Sequence, residues 1–124
     1  MIRLYKTTMT LVAVLDGAVA TSQPQCAVSF YDVPSHQKMD FSEYRGVTQV
    51  QDTNSTTDVT ICSAPVAVGS VRNVESMWIY NKDSASATVT VKIDDDGAET
   101  ILLKKALAAG ETLAYECGHG WQVI

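Results

Sequence analysis

A chain of 124 residues with a net charge of −5, nine Lys and Arg against fourteen Asp and Glu, lacks the basic face of a nucleic-acid binder and the polybasic patch of a peripheral membrane protein. The length suits one domain, able to bury roughly two-thirds of its unfolded surface without disulfides or metals. A hydrophobic content of 46% excludes wholesale disorder, and three widely spaced cysteines, Cys26, Cys62 and Cys117, fit neither a disulfide framework nor a zinc site.

The first twenty residues carry the letters of a secretory signal: a basic start, the apolar run Met9–Leu15 and small residues at Ala18–Ala20. Asp16 and Gly17 interrupt that pattern, and a strand over Thr10–Leu15 ending at an Asp-Gly turn accounts for the same residues. No run approaches the ~20 apolar residues of a membrane-spanning helix. The N-terminal half predicts strands at Ile2–Tyr5, Thr10–Leu15, Cys26–Tyr31, Val47–Gln51 and Thr57–Cys62, with residues 1–8 as a possible N-terminal arm. Val33–Arg45 reads as a long polar excursion, the kind of loop that often carries function. Gln51–Thr56 reads as a polar hairpin tip, and Ser63–Gly69 as a small-residue bridge whose Pro65 suits an edge or a connection.

The C-terminal half is more regular. Val74–Asn81 alternates but is apolar on both faces, which predicts a strand that is central or covered on both sides, with Trp78 and Tyr80 in the core. Asn81–Ser84 is a connection stabilised by Asn and Asp side chains. Thr88–Asp94 has period two, with Val89, Val91 and Ile93 turned inward. Asp94–Gly97 closes a tight turn, since its Asp-Gly pair tolerates the positive φ a hairpin demands. Ile101–Ala109 fits a helix face through Leu102, Leu103, Ala106 and Leu107 almost as well as a strand, although Gly97 and Gly110 bracket a strand-sized piece. Thr112–Glu116 and Trp121–Ile124 complete nine to ten short strands at regular spacing, an all-β antiparallel sandwich or barrel forming one domain over 1–124.

The same residues offer little chemistry. There are two histidines, His36 and His119, and neither a G-x-S-x-G elbow nor a glycine-rich phosphate loop. Cys117-Gly-His119 reads as a turn, because a Cys–His catalytic pair normally joins distant parts of a fold. Asp94-Asp95-Asp96 misses the spacing of a calcium loop and reads as a solvated tip. No catalytic residue, cofactor or metal is therefore expected, and the chain is not read as an enzyme. Trp121 either caps the sandwich or anchors an interface; Phe30, Tyr31 and Phe41 either pin the long loop to its own domain or dock on a partner.

Tyr80-Asn-Lys-Asp83, the Thr88-Val-Thr-Val91 run, the acidic glycine turn, Leu107-Ala-Ala-Gly-Glu-Thr-Leu113 and the closing Gly120-Trp-Gln-Val123 resemble a module of small virion proteins of tailed bacteriophages. These include capsid decoration, or cement, proteins with jelly-roll-like folds. The resemblance covers about Val74–Ile124. It implies a protein assembled in the host cytoplasm that sits on the capsid exterior, binds the major capsid protein, pairs with itself as a homodimer or homotrimer and stabilises the head. Nucleic acid and membrane are not expected partners. Contacts are expected from Ile2, Arg3 and Tyr5 in the mixed basic and apolar start, from Pro34, His36, Lys38, Phe41 and Tyr44 in the long loop, and from Trp121. A tail, fibre or head-to-tail connector module is the alternative within the same class. A carbohydrate-binding β-sandwich is the alternative outside it, and it requires an exposed Trp or Tyr platform.

Overall fold

The computed structural model describes residues 1–34 and 46–124, and among these the regular structure is entirely strand. The strands are β1 Ile2–Leu4, β2 Met9–Leu15, β3 Gln25–Val33, β4 Val47–Asp52, β5 Val59–Cys62, β6 Val71–Tyr80, β7 Ala87–Asp95, β8 Ala98–Leu107, β9 Thr112–Glu116 and β10 Gly120–Val123. Two antiparallel sheets pack into a sandwich. One has the order β10-β9-β6-β3-β4, with β1 also on β6; the other has the order β5-β2-β7-β8. Residues 1–8 are thus built into the sandwich, with β1 paired to Arg72–Val74 of β6 and Lys6 ion-paired to Asp95 at 2.7 Å. The core lies between the sheets and is made of their inward residues, among them Leu4, Leu11, Val28, Ile61, Val74, Met77, Ile79, Val89, Val91 and Leu113. Burial of that apolar set is the main stabilising term.

Alternation runs true where ladders are regular. Val89 and Val91 point inward as expected, and the Asp96-Gly97 turn has φ of 52° and 92°, the left-handed pair that joins β7 to β8. The Gly97 N–H donates to Asp94 Oδ1 at 2.7 Å and tightens it. Three ladders contain a bulge. In β6 the register passes from Phe30↔Val74 to Ser29↔Ser76, leaving Glu75 as the extra residue. In β8 it passes from Val91↔Leu103 to Lys92↔Ile101, leaving Leu102, and in β5 Ile61 is extra between Leu11↔Cys62 and Val12↔Thr60.

These bulges correct the expectations. An extra residue shifts the period-two phase, so the residues beyond it exchange faces. Past Glu75, Met77 and Ile79 take the core side together with Val74. Trp78 and Tyr80 turn to the outer face, where they are 54% and 45% exposed; they are not core residues, and β6, although central in its sheet, is uncovered on that side. The adjacent leucines of β8 that mimic a helix face are the bulged pair Leu102 and Leu103, both leaning on the core. The stretch after β4 is not a hairpin tip, because β4 pairs with β3 while β5 pairs with β2. It is a crossover between sheets with a local turn inside it, the Thr57 N–H donating to Asn54 O at 2.9 Å.

Crossovers leave backbone groups that no ladder satisfies, and two buried side chains take up many of them. Asn81 Nδ2 donates to the carbonyls of Ala85, Leu107 and Ala108 at 2.9, 3.0 and 3.2 Å, while its Oδ1 accepts the Asp83 N–H at 3.1 Å. The Asp83 carboxylate accepts the N–H groups of Ala20, Thr21, Ser22 and Ser84 at 2.9, 2.8, 3.2 and 2.8 Å, and the Thr21 hydroxyl at 2.9 Å. The β2–β3, β6–β7 and β8–β9 crossovers are so tied into one polar knot. At the other end, Arg72 makes a two-pronged pair with Asp32 at 2.7 and 2.8 Å. It also donates to Ser63 O and Oγ at 2.8 Å and lies 4.1 Å over the Phe30 ring.

Leu107 O and Ala108 O have further donors in the Ser86 hydroxyl and the Glu111 N–H, so replacing Asn81 with Ala strips the Ala85 carbonyl and the buried Asp83 N–H of their Asn81 partner and is expected to cost about 2 kcal/mol, read as a lower urea midpoint at unchanged slope. The Ala20 N–H, with the donors of Thr21 and Ser22, holds the Asp83 carboxyl well below the usual carboxylate range, against the opposing effect of burial. Because its pKa is depressed on folding, its stabilisation is complete above the unfolded value near ~4 and is lost as pH falls from there toward the folded value. Asp83→Asn is expected to lower Tm at neutral pH and to flatten the fall of Tm below pH ~4.

Candidate functional site

The expected contact residues fall into separate environments. Ile2 belongs to the core, its N–H donating to the Tyr115 hydroxyl at 3.1 Å. Arg3 is exposed on β1 and Tyr5 is exposed just past it. Pro34 is half-buried at the end of β3, while His36, Lys38, Phe41 and Tyr44 lie outside the described residues. Trp121 is half-buried, its ring centroid 4.9 Å from that of Tyr115 at a 48° tilt. It lines a groove of about 320 Å³ between the β8 and β10 edges with Leu103, Lys105, Leu113, Gln122 and Val123. Trp121 therefore packs against the core and also faces an open edge.

The outer face of the four-stranded sheet carries charge pairs beside the exposed Ile101. Lys92 Nζ lies 2.9 Å from both Asp58 and Glu99, with Glu99 first and Asp58 second in pushing its pKa up. Lys104 pairs with Asp16 at 3.0 Å. At the β7–β8 tip, Asp95 accepts from Lys6 at 2.7 Å and from the Thr8 hydroxyl at 2.6 Å, which lowers its pKa, Lys6 having the larger effect. Asp94 is engaged by Gly97. The acidic triplet is thus a set of turn and strand-end contacts.

The outer face of the six-stranded sheet is different. Trp78 lies between its register partners Ala27 and Ala114, Tyr80 between Gln25 and Thr112, and Val50 opposite Ala27. Val50 is 57% exposed, so an aromatic and aliphatic patch crosses the middle of the sheet, bordered beyond Tyr80 by the ion pair of Lys82 with Asp52 at 3.0 Å. Sequence reasoning missed it by placing Trp78 and Tyr80 inside. The available signal was the consecutive polar pair Glu75-Ser76 between the buried Val74 and Met77, which breaks period two where the bulge lies.

Beside this patch, along the same face, a cleft of about 420 Å³ opens where Met1 and the β9–β10 turn meet over β6. Cys117 and His119 both line it. They stand on one turn, in which the His119 N–H donates to Glu116 O at 3.0 Å and Gly118 and Gly120 take φ of 88° and 75°. No hydrogen bond joins the thiol to the imidazole. Among the described residues no group of three His, Cys, Asp or Glu side chains is placed to hold a metal ion, and no helix is long and apolar enough to cross a membrane. Comparison with known protein families, with curated proteins and with solved structures finds no match.

The thiols differ sharply. Burial pushes Cys26 up to about 12, with Asp52 adding to it. Burial pushes Cys62 up to about 11, partly offset by Arg72. Since the thiolate is the reactive form, native protein treated with an excess of thiol reagent at pH ~8 is expected to label at the half-buried Cys117 alone, with Cys26 and Cys62 reacting only after denaturation, as read by mass spectrometry of the peptides.

Proposed function

We propose that this chain is a non-catalytic docking subunit of the kind its C-terminal third resembles, a phage decoration protein that binds the major capsid protein on the capsid exterior and stabilises the head. The observation that supports this reading is the outer face of the six-stranded sheet. Trp78, Tyr80 and Val50 stand exposed there on β6 and β4, the two strands that flank β3. Trp and Tyr are the residues that concentrate in interface centres, where burial of a large rigid ring costs little conformational entropy. A patch of this kind is explained by a partner that covers it. Many copies on a symmetric lattice would turn modest individual contacts into lasting attachment.

The same two rings favour one second reading. Residues two apart on a strand face stand about 7 Å from each other, and such a pair offers an apolar platform to the flat faces of sugar rings. A glycan array separates this reading from the first, since a docking subunit gives no saturable glycan signal that depends on Trp78.

Particles assembled without this protein and then incubated with it are expected to take it up and regain heat resistance. A Trp78→Ala/Tyr80→Ala double variant is expected to bind about tenfold or more weakly while keeping its urea midpoint, because both side chains are solvent-facing. Equal uptake of the variant, or particles whose heat resistance does not depend on the protein, would overturn the proposal.

A further inference from the structure

The six-stranded sheet has a seam. Along one edge of β6, β1 pairs with Arg72–Val74 and β9 pairs with Ser76–Tyr80. Glu75, the extra residue of the bulge, lies between the two, its carbonyl accepting the Cys117 N–H at 2.8 Å. The 420 Å³ cleft sits over this seam, with Tyr31, Asn73, Glu75, Glu116, Cys117 and His119 among its walls. Its volume falls in the roughly 300–1,000 Å³ range of small-ligand sites.

Asn73 is the decisive residue. It is only 5% exposed, and among the described residues its Oδ1 is the one buried side-chain oxygen or nitrogen with no hydrogen-bond partner. Its neighbours Arg72 and Val74 point to the core, and its register partners are Tyr31 and Arg3, so Asn73 faces the outer side, where the cleft is. A buried amide carbonyl without a donor destabilises a fold, and native structures rarely keep one. Two carboxylates stand beside it, Glu75 and Glu116, and neither has an ion-pair partner among the described residues. Arg3, the nearest cation by register, reaches Met1 Sδ at 3.4 Å instead. Among the described residues that line the cleft, Met1 included, none carries a lysine or arginine side chain. Its acidic and thiol groups are not grouped to hold a metal ion, so the arrangement suits a cation that spreads its donors.

We infer that this cleft binds an organic cation, a guanidinium group above all, which donates to Asn73 Oδ1 while Glu75 and Glu116 balance its charge and the Tyr31 ring offers a π face. A guanidinium carries five N–H donors in one plane and is weakly hydrated, so it serves one carbonyl and two carboxylates at once. The group can come from a free small molecule or from an arginine side chain of a docking protein. The inference does not depend on the docking role proposed above, and small-molecule binding tests it separately.

The full chain is titrated with agmatine, with a blocked arginine peptide and with the same peptide carrying neutral citrulline, followed by calorimetry and by the amide NMR signals. Saturable binding of agmatine is expected, with shifts centred on Asn73, Glu75 and Cys117 and none from the citrulline peptide. Glu75→Gln and Glu116→Gln, both open to solvent, are each expected to weaken binding about fivefold. Asn73→Leu is expected to weaken it about tenfold without lowering the urea midpoint, since it removes an unpaired acceptor. Tenfold tighter binding of the arginine peptide than of agmatine assigns the source to a protein side chain; equal affinities assign it to a free cation. Absence of saturable shifts at ~10 mM agmatine, or unchanged affinity in the Glu75→Gln/Glu116→Gln double variant, overturns the inference.

Discussion

Everything in this sandwich depends on how its crossovers are closed. The chain passes repeatedly from one sheet to the other, and each passage carries peptide groups that no ladder partner can satisfy. Asn81 and Asp83 solve this at one end by opposite means. Asn81 is chiefly a donor to carbonyls from β8's end and the β6–β7 turn, and Asp83 is an acceptor for the N–H groups of the β2–β3 crossover. The amide and the carboxylate are not interchangeable, because each matches the polarity of the backbone groups aimed at it.

β6 carries the consequences. Its C-terminal end leads into the knot, its N-terminal end is locked by Arg72 against Asp32 and Ser63, and its middle holds the Glu75 bulge. The bulge has two effects on one face. It turns Trp78 and Tyr80 out to solvent, and it marks the place where β1 yields to β9, opening the cleft above Asn73. A patch and a polar cleft lie side by side because one extra residue was inserted in one strand. Rigid support from both ends lets such exposed features keep a defined shape.

The legible part of the fold follows from local chemistry. Thr88–Asp94 alternates because its ladder with β2 is unbroken, and Asp96-Gly97 turns because those residues accept positive φ. Asn81 and Asp83 were readable as connection residues from their side chains, though not as the tie between three crossovers. The illegible part is concentrated at bulges. Leu102-Leu103 resembled a helix face, and Trp78 and Tyr80 resembled core, because in each case the phase shifts within the strand. Asn73 and Glu75 showed nothing in the sequence beyond a polar interruption, since an unpaired acceptor is defined by neighbours that the chain brings from β1, β3 and β9.

By itself the sequence determined the strand content and the positions of the tight turns, which rest on residues within a few positions of one another, and the net acidic charge. Only the tertiary structure decided which face of β6 meets water, how one polar stretch joins the sheets and where a cleft opens. The physical reason is that a bulge is a relation between two strands. Its extra residue has meaning only opposite a partner ladder, and a single step of register moves every side chain beyond it to the other face.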